Sequence, residues 1–455
     1  MELSYERKNA YDVYSKEELR TAFDYCEGYK KFINDSKTER LAVKTAIAMA
    51  EKEGFEEFVP GKKYPAGSKV YLNQKKKAAI FAVIGKKPLT DGFLMTAAHI
   101  DSPRLDLKPN PLYQDGNLAL MKSHYYGGLR KYQWVTIPLA LCGTVCKKNG
   151  ESIDIEIGNS ENDPVFYITD LLPHLAKKQA EKRMAEAIPA ENLNIVIGSI
   201  PSNSEDKDRF VMNFLDLIYK KYGITQADFF TADLSVVPAD NARDVGLDRS
   251  MIAAYGHDDR ICAYPAFSAL LEMDSPEKTC IALLADREEV GSMGITGMKC
   301  RYFDMFIEDL CLAEGCNVNA VYRASSCIST DVAAAFDPTY QEVFDKNSAA
   351  YLNFGIVLSK YTGGGGKSGA SEACPEYMAK LCAIFEEANA MYQFHEMGKV
   401  DAGGGGTVSQ YIANRNIDVV DIGVPMLSMH APIELAAKAD IYSMYKAMKA
   451  FYTRA

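Results

Sequence analysis

Five apolar, strand-like segments in this chain each end on an acid or an imidazole, and that recurrence limits the fold more than any other feature. Ile281 to Ala285 runs into Asp286-Arg287-Glu288-Glu289, and Phe93 to Ala98 runs into His99 and Asp101. Asp258-Asp259 follows Ala253-Ala254-Tyr255, Asp331 follows Ser325 to Ile328, and His430 follows Val424 to Leu427. In an open α/β sheet, ligands bind outside the carboxyl ends of the strands. The five segments can therefore converge on one cluster of two histidines and several carboxylates, the donor set of a two-metal hydrolase.

The chain has 455 residues, enough for a large domain with a companion, and is 47% hydrophobic and 25% charged with no biased tract. A formal charge of -10 argues against a nucleic-acid partner. The eleven cysteines are irregularly spaced and no secretory h-region is seen, so free thiols in a cytoplasmic protein are expected. No apolar run approaches bilayer length, and no membrane partner is expected.

Helices are predicted over Lys16 to Phe32, with Ser15 and Glu18 as a capping box, and over Leu41 to Glu53, with a second box in Ser36 to Glu39. Strands follow at Lys69 to Leu72, Ala78 to Ile84 and Phe93 to Ile100. From Pro109 to Asp240 the pattern turns to hairpin-like strands (Leu118 to His124, Val135 to Cys146, Ser152 to Ile157) and charged helical segments over Asp170 to Ala187 and Asp206 to Tyr222. After Met251 strands and helices alternate again, ending in an amphipathic helix over Glu434 to Tyr452. The expected architecture is one α/β domain, residues 1–108 and 241–455, interrupted by an inserted β-rich domain, 109–240.

Residues two apart on a strand face the same side, so the carboxylate of Asp101 is expected to accept a hydrogen bond from one nitrogen of His99 while the other binds metal. Two divalent ions about 3.5 to 4 Å apart need a shared carboxylate, and Asp259 is the expected bridge. Glu289 is read as a ligand and Glu288 as the base that takes a proton from the attacking water. Asp331 and His430 complete the shells. Taken singly, a histidine at a strand end is more often structural, and His124, His174, His257 and His395 are assigned that reading by default. Only the combination favours a site.

Three other motifs compete. Gly363 to Ser368 with Ile281 to Asp286 imitates a P-loop nucleotide hydrolase, but Tyr361 stands at the first required glycine and the acid-ended strand precedes the loop. His395-Glu396 lacks the second histidine of a single-zinc helix. Gly366 to Ala370 lacks the last glycine of a nucleophile elbow. An inactive assembly homologue is the non-enzymatic alternative.

Ala98-His99-Ile100-Asp101-Ser102-Pro103-Arg104-Leu105-Asp106, then Tyr126-Gly127-Gly128, Gly256-His257-Asp258-Asp259-Arg260, Asp286 to Ser292, Ser329-Thr330-Asp331 and Met429-His430 stand in the order of the aspartyl aminopeptidase family, which includes vacuolar aminopeptidase I. The chain resembles that family over nearly its whole length. The resemblance implies a di-zinc metalloaminopeptidase with a zinc-exopeptidase-like catalytic domain, a mixed central sheet, and an inserted domain used for dimers that build a tetrahedral dodecamer. Carried over, His99, Asp259 and Asp331 hold one ion, and Asp259, Glu289 and His430 the other. Zinc is the ion implied; cobalt and manganese also suit such donors. Pro173-His174-Leu175 matches a segment whose histidine reaches a neighbouring subunit's site, and Lys360 stands one residue from a lysine that meets an acidic substrate side chain. Gly405 and Gly406, in the run Gly403 to Thr407, are expected to let substrate approach their backbone. The chain departs from the family at Asp258-Asp259-Arg260, where Leu-Asp-Asn is usual, and at Val332-Ala333-Ala334, where Met-Ala-His is common.

Overall fold

The computed structural model describes residues 3–4, 6–203, 207–369 and 371–455. Two compact units emerge. The first takes Met1–Asp101, Ala242–Met429 and Glu434–Ala455, and the second takes Ser102–Asn241 with His430–Ile433. The division thus falls after Asp101, where the sequence reading places it after residue 108.

The first unit is built on a mixed sheet that, among the described residues, has nine strands. Four central ones, Thr279–Ala285, Phe93–His99, Ser326–Thr330 and Asp418–Gly423, are parallel neighbours in that order. Their carboxyl ends share one edge, with Ala285 in register with His99. Thr279–Ala285 and Phe93–His99 are buried at every position, as expected of strands covered on both faces. Leu94, Ala98, Ile328 and Val420 join one core with the helices Lys16–Asp35, His257–Leu271 and Lys438–Arg454. Met95, Ala97, Cys327 and Val419 join a second core on the other face, with Tyr302–Glu314 and Ser409–Ala413. Phe81, Phe267 and Phe451 are fully buried, and each such side chain contributes about 1.5–3 kcal/mol over an exposed one. A smaller sheet in this unit joins Arg243–Val245, Met251–Ala254, Glu434–Ala437, Pro425–Leu427 and Ala333–Ala334.

The second unit is an antiparallel sheet of, among the described residues, seven strands in the order Ser152–Ile157, Leu139–Cys146, Ala232–Pro238, Arg104–Asp115, Leu118–Tyr126, Ile195–Gly198 and Tyr167–Ile168. Arg104–Asp115 and Leu118–Tyr126 form a hairpin whose register shifts between Leu107 and Leu112, the stretch that contains Pro109 and Pro111.

Several local expectations change. The Ser15 capping box is formed, but the second helix is capped by Thr38, whose side chain accepts the Leu41 N–H. Asp170 to Ala187 is two short helices, Lys177–Ala180 and Met184–Ala187, because the segment offers no continuous apolar stripe. Asp206 lies outside the described residues, and the helix there runs Arg209–Tyr222. Glu434–Ala437 is a strand, so the last helix starts at Lys438.

Candidate metal centre

His99 closes the strand Phe93–His99 and is buried. Its Nδ1 lies 3.0 Å from the backbone carbonyl oxygen of Asp101. A carbonyl can only accept, so the proton sits on Nδ1 and the Nε2 lone pair is left for a cation. Nε2 is 3.1 Å from Asp258 Oδ1 and 3.8 Å from Asp331 Oδ1.

The carboxylate of Asp101 lies 3.5 Å from His99 Nδ1, the contact expected of it. It does a second job as well: its two oxygens accept the backbone N–H groups of Glu288 at 3.1 Å and Glu289 at 3.2 Å. The turn that presents both glutamates pivots on Arg287, at φ 68, and continues as the short 3-10 turn Glu288–Val290. Asp101 thus ties the end of one central strand to the acids that leave its neighbour.

Asp258, and not the Asp259 of the sequence reading, meets His99 and Asp331. The ligand atoms of His99, Asp258 and Asp331 lie within 4.8 Å of one another. The reason is local backbone: Asp258 (φ -76, ψ 107) and Asp259 (φ -113, ψ 22) are not helical although they open the helix His257–Leu271, so the two carboxylates diverge. Asp258 donates its N–H to Glu434 Oε2 at 3.2 Å. Asp259 is buried, and the Thr330 hydroxyl donates to its Oδ2 at 3.4 Å.

Burial drives His99 toward neutrality, yet its contacts with Asp101, Asp258 and Asp331 prevail and hold the imidazole well above its ordinary range. Burial raises Asp259, and pushes Glu288 up to about 8 with help from the charge of Asp331. Buried like charges are costly unless a cation compensates them. A buried imidazole with the correct nitrogen exposed to two carboxylates fits a divalent ion.

His430 packs with the second unit at φ 65. Its Nδ1 lies 2.9 Å from the carbonyl oxygen of Gly128, so it too keeps Nε2 as a lone-pair donor. That carbonyl accounts for the Tyr126-Gly127-Gly128 motif; a Cβ on Gly128 would come 3.3 Å from the ring nitrogen.

The cluster of donor atoms around His99 does not itself include the other expected residues. His174 is exposed in a turn before Lys177–Ala180, not on a helix. Lys360 is exposed and follows Ile356–Ser359, which runs antiparallel to Asp418–Gly423 with Ser359 opposite Asp421. Ser359, beside it, is thus level with Asp421 and, across the next strand, with Ser329, two residues before Asp331. Gly405 and Gly406 lie in an exposed connection before Ser409–Ala413. Gly363 to Ser368 forms a hairpin tip in which Gly364 and Ser368 pair, and the next helix begins only at Pro375. Among the described residues, no helix N-terminus directly follows this loop, as a phosphate cradle would require. His257 is a neutral core residue: its Nε2 donates to Ile252 O at 3.1 Å, Tyr29 donates to its Nδ1 at 2.6 Å, and burial pushes it down to about 4. Sequence reasoning missed Asp258 and Glu434; the adjacent acids at 258 and 259 were the available signal, and nothing in the order of residues separates them.

The family described as aminopeptidase I zinc metalloprotease (M18) matches residues 32–452. The chain belongs to the M18 family. A probable M18 family aminopeptidase 1 of Clostridium acetobutylicum is 46% identical over 98% of both chains, and one of Thermotoga maritima is 41% identical over 98% of each. Among solved structures, the Thermotoga maritima M18 aminopeptidase matches with a TM-score of 0.94 at 40% identity over 99% of this chain and 100% of that one. The structure of aminopeptidase I from Clostridium acetobutylicum gives 0.93 at 44% identity, again over 99% and 100%. A dodecamer structure of the Saccharomyces cerevisiae mature Ape1 shares the fold, with a TM-score of 0.77 at 20% identity over 94% and 96%. As an M18 protein the chain is a zinc metalloaminopeptidase with a zinc-exopeptidase-like fold. No helix among the described residues is long and apolar enough to cross a membrane.

Proposed function

We propose that this M18 chain removes the amino-terminal residue of short peptides with two divalent ions that share Asp258. His99, Asp258 and Asp331 would hold one ion, and Asp258, Glu289 and His430 the other; zinc is the ion the family description names. The observation that carries this reading is the convergence of Asp258 and Asp331 on His99 Nε2. The bound ions would polarise the scissile carbonyl and ease ionisation of water. Glu288 then takes the proton of the attacking water and returns it to the leaving amine. Asp101, through the two backbone amides, keeps Glu288 and Glu289 in their separate roles.

The inserted unit is proposed to serve self-association, in dimers and then a tetrahedral dodecamer. Exposed Leu171, Leu172, Leu175 and Met184 support that reading, and His174 among them would reach a neighbouring subunit's site. A preference for acidic amino-terminal residues fits the family resemblance, and Lys360, beside Ser359 at the level of Asp421, would be the group that meets the acidic side chain.

A screen of amino-acid arylamides with metal measured on the same sample tests the activity. Hydrolysis abolished by a chelator and restored by zinc is expected. A metal-loaded sample that cleaves none of them would favour an inactive assembly homologue.

A further inference from the structure

Two glycine runs that look unrelated in sequence, Gly363 to Gly366 and Gly403 to Gly406, pack directly on each other. Gly363 donates its N–H to the carbonyl of Gly405 at 2.6 Å. A Cβ on Gly404, at φ 130, would come 2.3 Å from Gly364 Cα and 2.5 Å from the Gly363 carbonyl oxygen. The joint therefore requires glycine at position 404, whereas a Cβ on Gly364, Gly365 or Gly366 would meet nothing within 4 Å. The first run is the tip of a hairpin whose strands pair Tyr361 with Glu372, with Lys367 lying 3.7 Å over the Tyr361 ring.

The second run is tied down at once by Thr407. Its hydroxyl donates to Asp421 Oδ1 at 2.7 Å and lies 2.7 Å from the Ser409 hydroxyl. Asp421 is a buried acid inside a central strand, where an apolar residue would be expected, and it stands in register with Ser329. By the two-residue period, Ser329 and Asp331 share a face, as do Asp421 and Gly423. Gly423 is held close as well: a Cβ there would be 1.7 Å from the Asp331 carbonyl oxygen. The anchor of the glycine joint is thus one strand pair away from a proposed metal ligand, on the face that carries it.

We propose that Asp421, acting through Thr407, is a positioning residue that holds the paired glycine runs as one unit against the face of Asp331, where their exposed backbone receives the main chain of a peptide substrate. Peptide recognition by the joint rests on the aminopeptidase reading above; the latch itself does not. Thr407 and Asp421 touch no reacting atom in this account, so their loss should act on substrate binding more than on turnover.

The test compares wild type, Thr407→Val, Thr407→Ser and Gly404→Ala in the full metal-loaded chain. Hydrogen exchange in peptides spanning 361–369 and 403–406 should accelerate about tenfold or more in Thr407→Val, the scale of one charge-assisted hydrogen bond, and return to wild type in Thr407→Ser. Gly404→Ala should accelerate the same peptides by prying the joint apart. KM for a dipeptide should rise in Thr407→Val while kcat and metal content hold. Unchanged exchange in Thr407→Val overturns the latch. Fast exchange with an unchanged KM overturns the substrate role, and loss of metal along with activity would make Asp421 a mere support of Asp331. A chain inactive on every arylamide counts against the aminopeptidase reading, while exchange still decides the latch.

Discussion

Asp258 Oδ1 lies 3.1 Å from His99 Nε2, so the acid that meets the first histidine is the earlier member of the Asp258-Asp259 pair. Asp258→Ala should lose bound metal and activity together, because it removes the shared carboxylate. Asp259→Asn should keep metal, since that side chain is held from Thr330. Metal analysis of the two purified variants separates them, and the reverse pattern would return the bridge to Asp259.

Glu288 and Glu289 are adjacent yet differently employed. Glu288→Gln should retain metal while kcat falls by ~10²-fold or more, the low end for loss of general acid-base catalysis. Glu289→Ala should lose metal. Equal metal loss in both would make Glu288 a ligand.

Asp101 is expected to act on geometry. In Asp101→Asn an amide N–H2 replaces one of the acceptors facing the Glu288 and Glu289 amides, and an outer partner of this kind is worth roughly 10–100-fold in activity or metal affinity. Asp101→Glu, which keeps the charge but not the reach, should not restore the loss. Wild-type kinetics in Asp101→Asn would remove the clamp from the account.

How far the sequence carried the fold is clearest at the central strands. Phe93–His99 and Thr279–Ala285 are apolar runs buried on both faces, so their type and their terminal acids were legible. The choice between Asp258 and Asp259 was not, because it turns on backbone angles that either aspartate tolerates. Arg104–Asp115 was missed for a related reason: Pro109 and Pro111 break the alternation, and the ladder survives them only through a register shift. Lys360 was picked out by its motif alone, and the antiparallel direction of Ile356–Ser359, which sets where it leaves the sheet, is a property of the sheet and is not written in the segment.

Lys360 itself gives a simple check. The ratio of Glu- to Leu-arylamide hydrolysis should narrow in Lys360→Leu. An unchanged ratio would remove that side chain from the substrate.

His395 supplies a pH-dependent contribution to stability. Burial pushes its imidazole down to about 4, whereas the unfolded chain holds it near the ordinary value of about 6.5. The unfolded state then binds the extra proton first, so this stabilisation is full above about 6.5 and is lost as pH falls toward about 4. Urea midpoints at pH 7 and pH 5, taken in chelator, should fall further for wild type than for His395→Phe. Equal falls would contradict a desolvated, neutral imidazole.

The most direct measurement is the metal content per chain of wild type and Asp258→Ala, with peptide hydrolysis followed on the same samples. The account predicts about two ions per active wild-type chain, as a shared carboxylate requires, and loss of both ions and of activity in Asp258→Ala. A wild-type chain fully active with one ion, or an Asp258→Ala variant that keeps two, would contradict it.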